Sequence, residues 1–436
     1  MASRLPTEPP RGMRDILPAE ADLRDATAAT ILSVYRRYGF RRIETPALES
    51  LQLLTGGGGG DNEKLIFKVL RRGEKLDLSA AVTEADLADL GLRFDLTVPL
   101  ARYYAHNHAK LPDPLKAVQI GPVWRAERPQ RGRYRQFTQC DIDILGVASE
   151  IAEIELILAT TEALGALGLD GLTVRINDRR VLAAMATWCG FEPARHANVF
   201  VTLDKWDKLS SSEIRQELEQ AGHPGSAIAR MMELYSRPGS QRGLAAMRSE
   251  LGTASVEDAF AGLSRIVDTV EAAAGGRFRI AFEPTLVRGM GYYTGPIFEI
   301  GSSSFAAGSI AGGGRYDTMI GGLLGRVVPA TGFSIGFERV VDILGRVEGR
   351  AGRGDTRIAL LFDETAQDWG SVLGAAQALR AQGYLVALER QTRNSGAQRA
   401  ALEKQGYDGV ATVSPEGLAN PRWFADRTPR QSGSRK

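Results

Sequence analysis

The chain has 436 residues, more than one small core needs, and at about 150 residues per domain it should hold two or three domains. Its 43% hydrophobic and 24% charged content is ordinary for a globular protein, and no run of about 18 apolar residues is available to span a membrane. The 54 basic and 52 acidic residues leave a formal charge of +2, too small to mark a nucleic-acid binder by itself.

The opening stretch, MASRLPTEPPRGMRDILPAEADLRD, mixes Pro with both charge signs and lacks an apolar h-region, so no secretory signal is expected and the cytoplasm is the default compartment. From Ala19 to Tyr38 apolar residues recur at helical spacing (Ala28, Ile31, Leu32, Tyr35, Tyr38), and Gly39 ends the helix. A strand, FRRIETPAL, follows. Gly56 to Gly60 lack the Lys-Ser/Thr of a phosphate-cradling loop and read as a mobile connection. Lys64 to Leu70 reads as a strand, Ser79 to Leu90 as a helix, Ser149 to Leu167 as a second long helix, and TVRIND as a strand. Residues 181–275 are nearly all helical in pattern. Strand-type sequence resumes in RFRIAF, GYYTGPIFEI and SIAGGGRYD, and a last helix begins near Gly336. The blocks 1–180 and 276–347 therefore look like one domain split by a helical insertion. Beyond the linker EGRAGRGDTR, residues 355–436 alternate strand and helix as a small α/β domain with mostly parallel pairing. Cys140 and Cys189 belong to no set with metal-ligand spacing, so two reduced thiols and no metal site are expected. The basic C-terminal string DRTPRQSGSRK reads as a solvated tail.

The informative region is a hairpin, KAVQIGPVWRAE (116–127) and RQFTQCDIDILG (135–146), joined by RPQRGRY. A period of two puts Thr138, Cys140, Ile142 and Ile144 on one face and Phe137, Gln139, Asp141 and Asp143 on the other. The first strand agrees, with Val118, Ile120, Pro122 and Trp124 against Gln119, Arg125 and Glu127. Burying such groups unpaired costs several kcal/mol, so the polar face must meet water or a polar ligand. Alternation alone fits a solvated sheet face equally well. The residue types favour a binding floor: a planar Arg suits phosphate, a Phe suits a base, and carboxylates suit an ammonium group.

At these residues the chain resembles the second signature motif of class II aminoacyl-tRNA synthetases, and RAERPQRGRYRQFTQCDID is similar to the version in the histidyl-tRNA synthetase family. The resemblance implies that Arg125 binds the α-phosphate of ATP, that Glu127 and Arg133 help hold the triphosphate, and that Phe137 stacks on adenine. It gives Gln139 and Asp143 to L-histidine. LRFDLTVPLAR (92–102) resembles the family's amino-acid-binding strand, with Asp95 and Thr97 at the α-amino group; from the residues alone, a buried salt bridge from Asp95 to Arg93 or Arg102 is an equal alternative. LVRGMGYYTGPIFE (286–299) carries the histidine-specific arginine, Arg288, while Tyr293 and Tyr316 would line the imidazole pocket. Gly312 to Gly314 alone would be read as a turn. TGFSIGFERVVDIL (331–344) resembles the third class II motif, with Arg339 at the γ-phosphate and adenine, and Pro46 matches the first motif, which builds a homodimer interface in the family.

The resemblance thus implies an α+β fold: a class II antiparallel-sheet catalytic domain with a helical insertion, plus a small C-terminal anticodon-binding-like α/β domain. It also implies ATP and Mg2+ as cofactors, L-histidine and tRNA(His) as substrates, a cytoplasmic homodimer with no membrane, and catalysis by Arg125 and Arg288. The four histidines (His106, His108, His196, His223) match no catalytic position, and the HNH string reads as a polar helix end. The chain departs from the pattern twice. Gly291 stands where the family has Asp, which removes a carboxylate near Arg288, and the C-terminal module ends where a final strand and helix are expected. Two neighbouring readings use the same residues: a paralogue that activates histidine or a relative outside translation, and a non-catalytic histidine-binding regulatory subunit.

Overall fold

Alternation in the sequence becomes a sheet with two unlike faces. The computed structural model describes the chain except residues 1–4, 57–61, 74–75, 77–78, 80–82, 129–133, 207–208, 252–253, 289–290, 306–307, 347–355, 366–367, 415–416, 419 and 425–436. Its largest sheet comprises β1 (Arg41–Arg42), β2 (Leu115–Trp124), β3 (Gln136–Leu145), β4 (Thr173–Asp178), β5 (Arg279–Phe282), β6 (Pro296–Gly301), β7 (Ala311–Arg315) and β8 (Ala330–Ile335). Their order is β1-β2-β3-β8-β7-β6-β4-β5. The six inner strands are antiparallel to their neighbours, and the edge strands β1 and β5 pair parallel. The fold is α+β, as expected.

Register decides what each face carries. One lateral row joins Gln119, Asp141, Ser334, Gly312, Glu299 and Arg175 across six strands. On the opposite face a row joins Val118, Ile142, Phe333, Gly313, Phe298 and Ile176. The second row is core, covered by the helix Ile151–Ala166, whose buried residues run round most of its circumference. Polar-apolar alternation from Gln139 to Ile144 in β3 fixes this arrangement, because a one-residue slip would exchange the two faces.

Gly312 to Gly314 are therefore strand, not turn, and all three are buried. Gly313 lies between Phe298 and Phe333, whose rings meet edge to face at 4.6 Å. A Cβ there would fall 2.0 Å from the Gly332 carbonyl oxygen and 2.8 Å from Phe333 Cα. Glycine costs strand stability through its backbone entropy, so its presence in a central strand reflects close approach.

Between β4 and β5 the described residues form six α-helices, from Arg179–Cys189 to Glu257–Ala274. Local chemistry sets their ends: Asp178 caps the first by accepting from Arg180 N–H, Ser210 and Glu213 form a capping box on a third, and Gly190 and Gly275 close two helices in the left-handed conformation.

Several local expectations give way. The expected strand Lys64 to Leu70 is a 3-10 turn, Asn62–Leu65, followed by a short strand, Lys68–Leu70. Of the expected helix Ser79 to Leu90, residues 80–82 lie outside the described residues; Glu84–Leu87 is helical and runs into the strand Ala88–Leu92, where pairing with Leu48–Ser50 and Lys68–Leu70 overrides helix propensity. FRRIETPAL contributes two short strands with a bend between them, so Pro46 lies outside any strand and is exposed. The segment LRFDLTVPLAR leaves the strand at Leu92 and becomes the helix Thr97–Asn107. Pro99 sits in that helix's first turn, where the missing N–H forfeits no helical hydrogen bond. The long helices near either end of the first block match closely, as Pro18–Arg37 and Ile151–Ala166. The HNH string ends a helix, and Cys140 and Cys189 are buried and free.

The chain divides into two compact units, Met1–Asp15 with Ala28–Ile343, and Ile16–Thr27 with Leu344–Lys436. In the second, β9 (Arg357–Phe362) lies between β10 (Leu385–Arg390) and β11 (Gly409–Ser414), both parallel to it. Ile358 and Leu360 pack with the helix Trp369–Ala381, while Ala359 and Leu361 pack with Leu402 of the helix Ser395–Lys404. The strands Gly417–Leu418 and Arg422–Trp423 add antiparallel to β11. Among the described residues no helix is long and apolar enough to cross a membrane.

Overpacking a close-packed site typically costs about 1–3 kcal/mol, and each kcal/mol moves the melting temperature of a large domain by about 2–4 °C. Gly313→Ala is expected to lower the Tm by about 2–12 °C in a thermal melt, and a wild-type Tm would contradict the packing described.

Candidate functional site

A cavity of about 910 Å³ opens on the polar face of the large sheet. Every site residue singled out from the sequence lines it, except Arg133, which lies outside the described residues.

The hairpin supplies the floor. Phe137 and Gln139 face the cavity from β3, opposite Val123 and Gly121 of β2. Arg125 follows β2 directly; its Nε donates to the Phe94 carbonyl at 3.0 Å, and its guanidinium lies 5.1 Å from the centre of the Phe137 ring. A cation held over an aromatic face keeps a planar surface presented to the cavity. Glu127 is exposed at the rim, and its backbone carbonyl accepts from Arg135 Nε at 3.0 Å.

Asp95 and Thr97 come from the turn into the helix Thr97–Asn107. Asp95 Oδ1 accepts the Val98 N–H at 3.0 Å, satisfying one of the free donors of the helix start, and Oδ2 is buried with no partner. The alternative ion pairs do not form. Arg93 donates to the carbonyls of Thr45 and Pro122, and Arg102 grips Glu49 through two nitrogens. Asp95 is left fully buried, and burial pushes its pKa from 3.8 up to about 6.

Asp143 is a second buried acid. Tyr316 donates to its Oδ1 at 2.6 Å, yet burial still raises its pKa to about 7. The same oxygen fills the place a Cβ on Gly332 would take, at 2.0 Å, so Gly332 makes room for the carboxylate. Tyr292, Tyr293 and Tyr316 form an aromatic group, with 4.8 Å between the first two rings and 6.1 Å between Tyr292 and Tyr316.

Arg288 approaches from the segment before β6. Its Nη1 donates to Glu299 Oε1 at 2.7 Å, and it lies across Gly312, where a Cβ would come within 2.2 Å of Nη1. Glu299 also pairs with Arg175 at 3.5 Å. Gly291 is exposed, and the carboxylate that orients Arg288 comes from the sheet instead. Arg339, early in the helix Phe337–Gly345, donates to the Ser309 carbonyl. The neighbouring Glu338 accepts Thr138 N–H at 2.9 Å and so ties that helix to β3.

The cavity thus joins Arg125, Arg175, Arg288 and Arg339 to buried acids, an arrangement suited to a ligand that carries phosphate or carboxylate together with an ammonium group. The family model described as Histidyl-tRNA synthetase matches residues 12–340, which contain all of these side chains. The chain belongs to the histidyl-tRNA synthetase family. It is 45% identical over 420 residues to a protein of Leifsonia xyli subsp. xyli named histidine–tRNA ligase, covering 94% of this chain and 96% of that one. A histidine–tRNA ligase of Aeropyrum pernix is 40% identical, over 77% of this chain and 73% of its own length. In structure, the histidyl-tRNA synthetase of Nostoc sp. PCC 7120 superposes with a TM-score of 0.76 at 26% identity, covering 95% of this chain and 93% of that one. A protein of Bacillus halodurans C, titled an ATP phosphoribosyltransferase regulatory subunit/histidyl-tRNA synthetase, shares the fold with a TM-score of 0.72 at 23% identity, covering 94% and 99%.

Sequence reading of this histidyl-tRNA synthetase family member missed Glu299, Tyr292, Ser334 and Arg175, all of which line the cavity. A signal existed for one: Glu299 is the lone charge in the otherwise apolar strand β6, on the parity that faces the site. Leu203, Asp204 and Trp206 reach the cavity from the helical segment, and no local pattern marks them.

The raised pKa of Asp95 makes stability pH-dependent. Between 3.8 and about 6 the folded chain binds a proton that the unfolded chain releases, so stability falls as pH rises through that window. Asn at this position still accepts from Val98 and cannot ionise. Asp95→Asn is expected to raise Tm at pH 8 and to change it much less at pH 5; an equal effect at both pH values would contradict the assignment.

Proposed function

We propose that this cavity activates L-histidine with ATP and that the resulting histidyl-adenylate is transferred to the 3′ end of tRNA(His). The observation that carries the reading is the joining of Arg125, Arg288 and Arg339 to buried acids in a single cavity of a histidyl-tRNA synthetase family chain.

In this reading Phe137 stacks on adenine, and Arg339 holds adenine and the γ-phosphate. Glu127 and Arg133 help to hold the triphosphate. Asp95, Thr97 and Gln139 receive the α-ammonium group, while Asp143, Tyr293 and Tyr316 surround the imidazole. The histidine carboxylate oxygen attacks the α-phosphorus, and the bond to the bridging oxygen of pyrophosphate breaks. Arg125 and Arg288 carry the reaction by stabilising negative charge at the α-phosphate, and no side chain serves as nucleophile. Arg288 does this pre-oriented: Glu299 and the bare backbone of Gly312 hold the guanidinium before substrate arrives. In the second step a ribose hydroxyl at the tRNA terminus attacks the acyl carbon and AMP leaves.

The donor set fits a Mg2+ ion carried on the nucleotide. Among the described residues no group of three His, Cys, Asp or Glu could hold a metal alone, and the carboxylates at the phosphate side are Glu127 and Glu338. Bound there, Mg2+ would neutralise charge on the departing pyrophosphate.

The division of labour follows the same reading. Residues 1–180 and 276–347 form the catalytic domain, 181–275 an insertion, and 355–436 a module that reads the anticodon. We further propose a cytoplasmic homodimer with the segment around Pro46 at its interface.

Histidine-dependent exchange of pyrophosphate into ATP, run beside charging of tRNA(His), tests both steps. Loss of one group that stabilises transition-state charge typically costs about 10²- to 10³-fold in kcat. Arg288→Ala is expected to lower exchange by at least that factor with an unchanged circular dichroism spectrum, and near wild-type exchange would refute its role. Exchange without charging would favour activation outside translation, and no exchange would favour a histidine-binding regulatory subunit.

A further inference from the structure

One buried acid in the cavity has no role in the scheme above. Asp141 lies on β3 between Gln139 and Asp143, on the cavity face, and is 4% exposed. Ser334 and the Gln139 amide, the latter at 3.5 Å, hold one side of its carboxylate, whereas Oδ1 is buried with no hydrogen-bond partner. Two other acceptors in the cavity share that condition, Asp95 Oδ2 and Gln139 Oε1.

Unpaired buried acceptors are unfavourable unless a ligand satisfies them. Three acceptors on two carboxylates and an amide match a primary ammonium group in number and sign, since it carries three N–H donors and one positive charge. Asp143 differs, because its Oδ1 already accepts from Tyr316. We propose that Asp141 is a third acceptor for the α-ammonium group of the amino-acid substrate, beside Asp95 and Gln139, and so helps to select an amino acid over its deaminated analogue.

The sheet register supports the placement. Asp141 and Gly312, over which Arg288 lies, belong to one lateral row with Ser334 between them. Two strand spacings, roughly 10 Å, separate their backbones. An amino acid bears its ammonium and carboxylate on the same carbon, and the Asp141 and Arg288 side chains meet those two groups from opposite sides. Asp143 and Asp95 both push the Asp141 carboxyl upward, behind the larger effect of burial, as expected of acids that share one small space.

The inference rests on histidine being the substrate, and two ligands separate the questions. Histidinol keeps the ammonium and imidazole but lacks the carboxylate; imidazolepropionate keeps the imidazole and carboxylate but lacks the ammonium. Calorimetric Kd values for both would be measured on the full chain and on Asp141→Asn. Loss of one charge-assisted hydrogen bond is expected to weaken histidinol by about 10- to 100-fold, with imidazolepropionate changed by less than about twofold. Equal weakening of both ligands would assign Asp141 a structural role, and unchanged histidinol binding would remove it from the site; either overturns the proposal. Asp141→Ser, smaller and also uncharged, is expected to give the same split, and tight histidinol binding in it has the same adverse meaning. A wild-type chain that neither binds histidinol nor supports histidine-dependent exchange would overturn the histidine reading itself, and this proposal with it.

Discussion

Carboxylates withdrawn from water without a cation are costly, and this site keeps Asp95, Asp141 and Asp143 together on one side of a sheet. The other face of the same sheet shows how a structural charge is handled. There Arg315 grips Glu153 through two nitrogens, at 2.7 and 2.9 Å, and both carboxylate oxygens are used. In the cavity Asp95 and Asp141 each keep one oxygen without a partner, and burial raises the pKa of all three acids. Such a surface is stable as part of a large fold and its charge suits a cationic ligand. The apolar face, with Ile142, Phe298 and Phe333 beneath the helix Ile151–Ala166, provides the packing that sustains it.

The arginines are arranged by the opposite logic. Each is held at the cavity wall by fixed partners: Arg125 by the Phe94 carbonyl and the Phe137 ring, Arg288 by Glu299, and Arg339 by the Ser309 carbonyl. Fixed cations need little reorganisation as charge develops on a phosphate, the usual basis of electrostatic catalysis. Glycine makes the geometry possible at Gly312, where any side chain would collide with Arg288, and at Gly332, where it would collide with Asp143. Position 291 carries no acid, and the carboxylate that pairs with the Arg288 guanidinium is Glu299 of β6.

Much of this was legible in the chain. Strict alternation in β3 and a matching partner strand defined the two-faced hairpin, because a strand's side chains change face at every residue. The long helices were legible from their 3.6-residue period. Less accessible were short segments whose conformation depends on neighbours: Ala88–Leu92 is a strand because two others flank it, and Gly312–Gly314 is a strand because it pairs on both sides with Pro296–Gly301 and Ala330–Ile335. Asp95 illustrates the same limit. Its sequence neighbours offered two arginines, but both are taken by other partners, and the acid faces the cavity instead.

The sequence by itself determined which residue types share a face, where the helical segment interrupts the sheet, and which family motifs are present, since all of these depend on spacing along the chain. Tertiary structure alone decided which faces meet. Asp95, Asp143, Arg288 and Arg339 are separated by up to 244 positions, and strand order β3-β8-β7-β6 sets them round one cavity. Whether a buried acid keeps its charge, and which carboxylate orients Arg288, depend on distance and solvent exclusion, which spacing along the chain does not encode.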